Sequence, residues 1–238
     1  MNEDSQLFRE KIKLLTQNDK NSILEWIEFL DDKDTKVIIG VLEILQESIT
    51  EIAYGIDHNE EFLFNIMESR LEPRVIKLLK HENDQVRRQT INTIGAFPLR
   101  KYCDEFDPIH IGYDSEEPDL IKRFLPQLME LLEDPNPEIK NTAGFHLIGH
   151  AHYELDMGKD YEIAYNIFSK LTENEYVFNR QKVAHFFLTH SGKFPEFYER
   201  MTPLLEKLTK DINESVSKYA TESLRIIKGE AIQDKEVE

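Results

Sequence analysis

The chain has 238 residues, of which 40 % are apolar and 32 % charged, and a formal net charge of −17. That charge opposes sequence-independent binding to DNA or RNA, because phosphates need Lys and Arg to release their counterions. The single cysteine, Cys103, excludes an intramolecular disulfide and fits a reducing cytoplasm, and no apolar run approaches the length of a membrane span.

Ser5 to Thr16 predicts a capping helix with Leu7, Ile12, Leu14 and Leu15 on its apolar side. The opening MNEDSQLFRE is acidic and lacks the basic-then-apolar order of a secretion signal, so a cytoplasmic location is expected. Asn21 is placed to cap a helix whose stripe is Ile23, Trp26, Ile27 and Leu30, with Trp26 in the core. Asp31-Asp32-Lys33-Asp34 reads as a turn before a long helix from Thr35 to about Tyr54. Asn59 opens a third unit, Glu60 to His81, whose partner helix runs from Asp84 to about Tyr102. Asp104 to Asp119 breaks the periodicity, carries seven acidic side chains and reads as an inserted surface loop, with Pro118 suited to a first helical turn. It lacks the ordered ligands and sixth-position Gly of a calcium loop.

An apolar run (Leu128, Leu131, Leu132) then stops at Asp134-Pro135-Asn136-Pro137. A second helix starts at Glu138 with Ile139, Ala143 and Leu147 at helical spacing. Helices over Tyr161 to Leu171, Val177 to about His190, Phe194 to Lys210 and Glu214 to Lys228 follow, and residues 229–238 read as a disordered tail. Pro203 to Ile227 repeats Pro126 to Gly149 at a constant offset of 77, and Pro73 to Gly95 matches at an offset of 53. Such repetition predicts an all-α chain, a right-handed solenoid of about five helix pairs plus the capping helix, occupying residues 1–228 as one domain.

On these residues the chain resembles the HEAT-repeat (HEAT/armadillo-like) family. Pro73, Pro126 and Pro203 lie inside first-helix patterns, where the family often kinks. Asp31, Asp134 and Asp211 match its turn acid, and Val86-Arg87 and Ile139-Lys140 match the opening of its second helix. Val37-Ile38 and Val216-Ser217 lack the basic residue, and the unit around Tyr176 aligns loosely. The resemblance implies stacked antiparallel helix pairs and says little about activity.

The openings of the second helices carry Arg87, Arg88, Lys140, Arg180, Lys182 and Lys218, with Asn141 among them and Phe145 and Phe186 beside them. Stacking turns such recurrence into a stripe, and cations with aromatic rings are residue types that interface cores favour. These nine residues are therefore the expected binding face for another protein, offering cations to its acidic segments. The overall acidity also admits a narrower role, an inhibitor or immunity-type binder of a basic partner. The alternative is a HEAT-like DNA glycosylase or another nucleic-acid-binding repair protein, which the net charge opposes, and no tryptophan and aspartate set of the glycosylase can be matched. His146, His150, His152 and His185 permit a zinc-type site to be drawn. Without a Cys pair or HExxH order they are expected to be hydrogen-bonded side chains instead. No catalytic residue and no cofactor is expected. The partner set is another protein, with no nucleic acid and no membrane, and the chain is read as a monomer.

Overall fold

The computed structural model describes residues 26–54, 70–95, 121–156, 161–190 and 195–230. The predicted capping helix, Asn21, Asn59, the acidic loop, Cys103 and the tail beyond residue 230 lie outside them. The chain divides into two compact units, Met1–Gln127 and Leu128–Glu238. Among the described residues every regular element is helical, as the periodicity predicts.

In the first unit Trp26, Ile27 and Leu30 are buried, and a 3-10 turn (Phe29–Asp31) leads to α1 (Thr35–Tyr54). α2 (Glu72–Leu78), α3 (Asp84–Gly95) and a 3-10 segment (Ile121–Phe124) follow. α1 and α3 are tied where the Thr93 hydroxyl donates to the Leu42 carbonyl at 3.0 Å and Gln89 donates to Gln46 at 2.7 Å. Arg74 of α2 clamps Glu28 at 2.6 Å and Asp31 at 2.7 Å. Burial alone would raise the Asp31 pKa, but hydrogen bonds from Arg74 and Lys77 and their charges hold it below the usual carboxylate range.

α4 (Leu125–Glu130) carries the division between the units. The second unit continues with a 3-10 turn (Leu131–Glu133), α5 (Pro137–Asp156), α6 (Tyr161–Glu173), α7 (Val177–Thr189), α8 (Pro195–Leu208) and α9 (Glu214–Ile227). α6 and α8 are first helices, and α5, α7 and α9 are second helices. Their interior holds Leu147, Phe168, Val183, Phe187, Phe197, Leu205 and Leu224. α7 joins α9 through the Ser223 hydroxyl, which donates to the Ala184 carbonyl at 2.7 Å.

One turn recurs, and its chemistry explains why each pair breaks where it does. Asp32, Asp134, Asn174 and Asp211 each accept, through a side-chain oxygen, the backbone N–H two residues on, at 2.8 to 2.9 Å. His81 does the same through Nδ1 at 3.0 Å, so that nitrogen is the unprotonated one. These are Asx-type turns, which compete with helix continuation and stop it. In four of these five turns the residue two places later then caps the second helix. Asp34 accepts from Lys36, Asn83 from Gln85, Asn136 from Glu138 and Asn213 from Val216. The expected turn acid Asp31 is thus corrected to Asp32, while Asp31 serves the ion pairs with Arg74 and Lys77.

Proline marks changes of winding. π-type turns at 70–71 give way to α-helix just before Pro73, and the 3-10 segment Ile121–Phe124 gives way just before Pro126. Pro203 sits inside α8. A proline cannot donate to the carbonyl four residues back, and altered winding is one way to accommodate its ring.

In the second helices Val86, Ile139 and Val216 fill the first core position, and the fourth unit places Asn179 there, fully buried. Its amide donates to the Lys140 carbonyl at 3.2 Å and to Asn174 Oδ1 at 3.3 Å, and Asn174 itself donates to the Leu132 carbonyl at 2.9 Å. Gly144 of α5 makes the room, since a Cβ there would overlap the Asn179 carboxamide. This polar stitch is why the unit around Tyr176 aligns loosely with the others.

Candidate protein-binding face of the second helices

The expected row of cations separates by position. Arg87, one place after the core Val86, donates Nη1 to the His81 and Glu82 carbonyls at 2.7 and 3.0 Å. Arg180 repeats this on the Asn174 and Glu175 carbonyls at 2.7 and 2.8 Å, and its Nε meets Asp211 at 2.6 Å. That pairing holds the Asp211 carboxyl below the usual range. Ser217 takes the same place in α9, and its hydroxyl donates to the Thr209 carbonyl at 2.7 Å. The position thus closes the preceding turn, and a hydroxyl can do so where the basic residue is missing. Arg87 and Arg180 spend their guanidinium groups inside the chain, and Lys140, half-buried at the same position, offers its carbonyl to Asn179.

Phe186 is corrected outright as a surface anchor. It is 5 % exposed, with its ring 4.9 Å from that of Phe168, 5.2 Å from Phe187 and stacked on His190 at 4.3 Å. Phe145 is the opposite case at 63 % exposed. The turns align 134 with 174, so Phe186 answers to His146, and Phe145 answers to His185. Lys182 likewise does not share the place of Arg88, Asn141 and Lys218, which Gln181 occupies.

What the second unit does assemble is a grid on α5, α7 and α9. The half-buried Lys182 ammonium stands 5.3 Å from the Phe145 ring centroid and donates to Asn141 Oδ1 at 3.2 Å. Burial lowers the Lys182 pKa from its ordinary value. His146, edge-on to Phe145 with centroids 5.5 Å apart, is held down to about 4 by burial and then by the Lys182 charge. Phe178, 53 % exposed, Lys182 and exposed His185 lie at i, i+4 and i+7, hence on one face of α7. α9 adds exposed Lys218 and half-buried Tyr219, whose ring meets that of His185 at 5.2 Å. Arg88, exposed at the matching place on α3, belongs to the first unit. Phe178 and Tyr219 were not among the expected residues. The four-residue step from Phe178 to Lys182 is the signal that points to the first of them.

The histidines separate as well. His150 is buried with its Nε2 3.5 Å from Glu154 Oε1, His152 meets the His190 ring at 4.3 Å, and His185 turns to Tyr219. Among the described residues no three His, Cys, Asp or Glu side chains gather as a metal site would need. Among them also, no helix is long and apolar enough to cross a membrane.

The fold is that of the armadillo and HEAT-like helical repeat proteins. A designed armadillo repeat protein in complex with the peptide (KR)4 is similar over 93 % of this chain and 92 % of its own, at 19 % identity and TM-score 0.54. A HEAT-like repeats protein from the archaeon Thermococcus onnurineus NA1 is similar over 94 % of this chain and 97 % of its own, at 12 % identity and TM-score 0.51. Computationally designed armadillo repeat proteins for modular peptide recognition match over 93 % and 92 %, at 19 % identity and TM-score 0.50. No protein-family profile matches the chain. No curated protein matches it in sequence.

Proposed function

We propose that the protein is a non-enzymatic scaffold that binds a segment of another protein along the face made by α5, α7 and α9. The observation that carries this reading is Phe145, an aromatic ring 63 % exposed beside a half-buried lysine. A ring so placed gives nothing to the core and is the residue type that anchors interfaces. Phe178 and Tyr219 extend the apolar surface to the neighbouring helices, and side-by-side second helices offer a length that suits an extended chain. The peptide named for the designed armadillo protein belongs to that protein, and here it supports only the class of ligand. A cytoplasmic monomer is the setting we read for it, the single Cys103 fitting a reducing compartment.

The test is selection from a displayed random-peptide library. The chain should enrich a family of related sequences, and a Phe145→Ser, Phe178→Ser variant with an unchanged melting curve should lose them. Undiminished capture by the double variant would remove this face from consideration.

A further inference from the structure

Resting on that reading, we infer that the bound segment carries a carboxylate between large apolar side chains, the carboxylate meeting Lys182 and Asn141 and the apolar groups meeting Phe145 and Phe178. An ammonium has three donors, and Lys182 gives one to Asn141 Oδ1 at 3.2 Å while its charge stands 5.3 Å from the Phe145 centroid. A π face attracts the cation without neutralising it, so an arriving carboxylate still finds its charge and two donors. The Asn141 amide nitrogen adds a neutral donor beside them. His146 remains uncharged until the pH falls to about 4, so at neutral pH it adds no charge to this spot.

The flanking chemistry fits the same occupant. Phe145 on α5 and Phe178 on α7 are exposed rings on the two helices that supply Asn141 and Lys182, so an acid between two apolar groups matches the order of the face. Exposed Glu138 and half-buried Glu222 also belong to this surface and would repel carboxylates placed beyond the centre. A basic segment would set its cation against Lys182. The chain's net charge of −17 would still attract it from afar, but charges more than about 8 Å away are screened at physiological salt, and the local group decides. A second copy docking through the same face would set Lys182 towards its own symmetry mate.

The experiment uses the full chain and three capped fluorescent peptides: one alternating Phe and Glu, its Phe/Gln twin and its Phe/Lys twin. We expect the Glu peptide to bind about tenfold more tightly than the Gln twin and the Lys twin to bind weakest. On Lys182→Met the Glu-to-Gln ratio should fall below about twofold, whereas Phe145→Ala should weaken all three peptides alike. The Glu-to-Gln comparison on the unaltered chain needs no variant to fold. Equal binding of the Glu and Gln peptides, lost in Phe145→Ala, would overturn the carboxylate and leave the binding face standing. Tightest binding by the Lys twin would overturn it in favour of a basic partner. Failure of all three peptides to bind would overturn both the carboxylate and the reading beneath it.

Discussion

His146 and Phe186 hold one position in successive second helices and fill it with different chemistry. The phenyl ring is simply buried, whereas the imidazole is half-buried, unable to gain a proton readily and close to the Lys182 charge. In the unfolded chain His146 regains its ordinary value near 6.5, while in the folded chain it titrates near 4. The unfolded state therefore binds more protons between those limits, and stability must fall as pH falls through that window. Above about 6.5 both states are neutral and the site costs nothing; at pH 4 and below the loss is at most about 3 kcal/mol. Chemical denaturation of the native chain and of His146→Phe should give curves that converge near neutral pH. Between pH 6.5 and 4 the native chain should lose more. Parallel curves across that range would refute the assignment to His146.

At the scale of the element, capping separates the second helices. Asn213 accepts from the Val216 N–H at 3.2 Å, whereas Tyr176 holds the same place before α7 and makes no side-chain cap. Replacing Asn213 by Ala should cost about 1 kcal/mol, and replacing Tyr176 by Asn should add a similar amount. Tyr176 packs its ring 5.5 Å from that of Phe178, so the stabilised Tyr176→Asn chain should also hold the displayed peptides less well. Urea midpoints and the peptide titration read the two effects on the same samples. A variant without gain in stability would mean that α7 is capped by other means. The helices and turns are legible in the sequence because apolar periods and Asx residues act locally. Helix ends such as Val177–Thr189 and Glu214–Ile227 fall within one residue of expectation. The face was legible only in part. Phe145 and Phe186 look alike beside a row of cations, and only the alignment of turns at 134 and 174 separates the exposed ring from the buried one. Asn179 reads as a flaw in the pattern because its partners, Lys140 and Gly144, come from another helix.

For the whole molecule, the distribution of charge matters more than its sum. Cations of one first helix pair with acids of the preceding one: Arg74 with Glu28, Arg123 with Glu72 at 2.8 Å, Arg200 with Glu162 at 2.6 Å and Lys207 with Glu173 at 2.9 Å. Arg87 and Arg180 are drawn into the turns. These cations are thus already engaged within the chain, and with a net charge of −17 a nucleic-acid backbone would meet a surface of net negative sign. A labelled 20-base-pair duplex titrated at about 0.15 M salt should show no saturable binding. Saturable binding that weakens steeply as salt is raised would bring back the DNA-glycosylase alternative.

The pairing of Asn179 with Gly144 has a consequence for descent. Glycine costs a helix interior about 1 kcal/mol against alanine, yet alanine at 144 has no room while the carboxamide is there. A lineage that exchanges Asn179 for Val or Ile, as at positions 86, 139 and 216, is released to place Ala at 144, and is not released before. The two positions should therefore change as a pair. Among relatives of this chain, glycine at 144 should accompany asparagine at 179, and alanine should accompany an aliphatic residue.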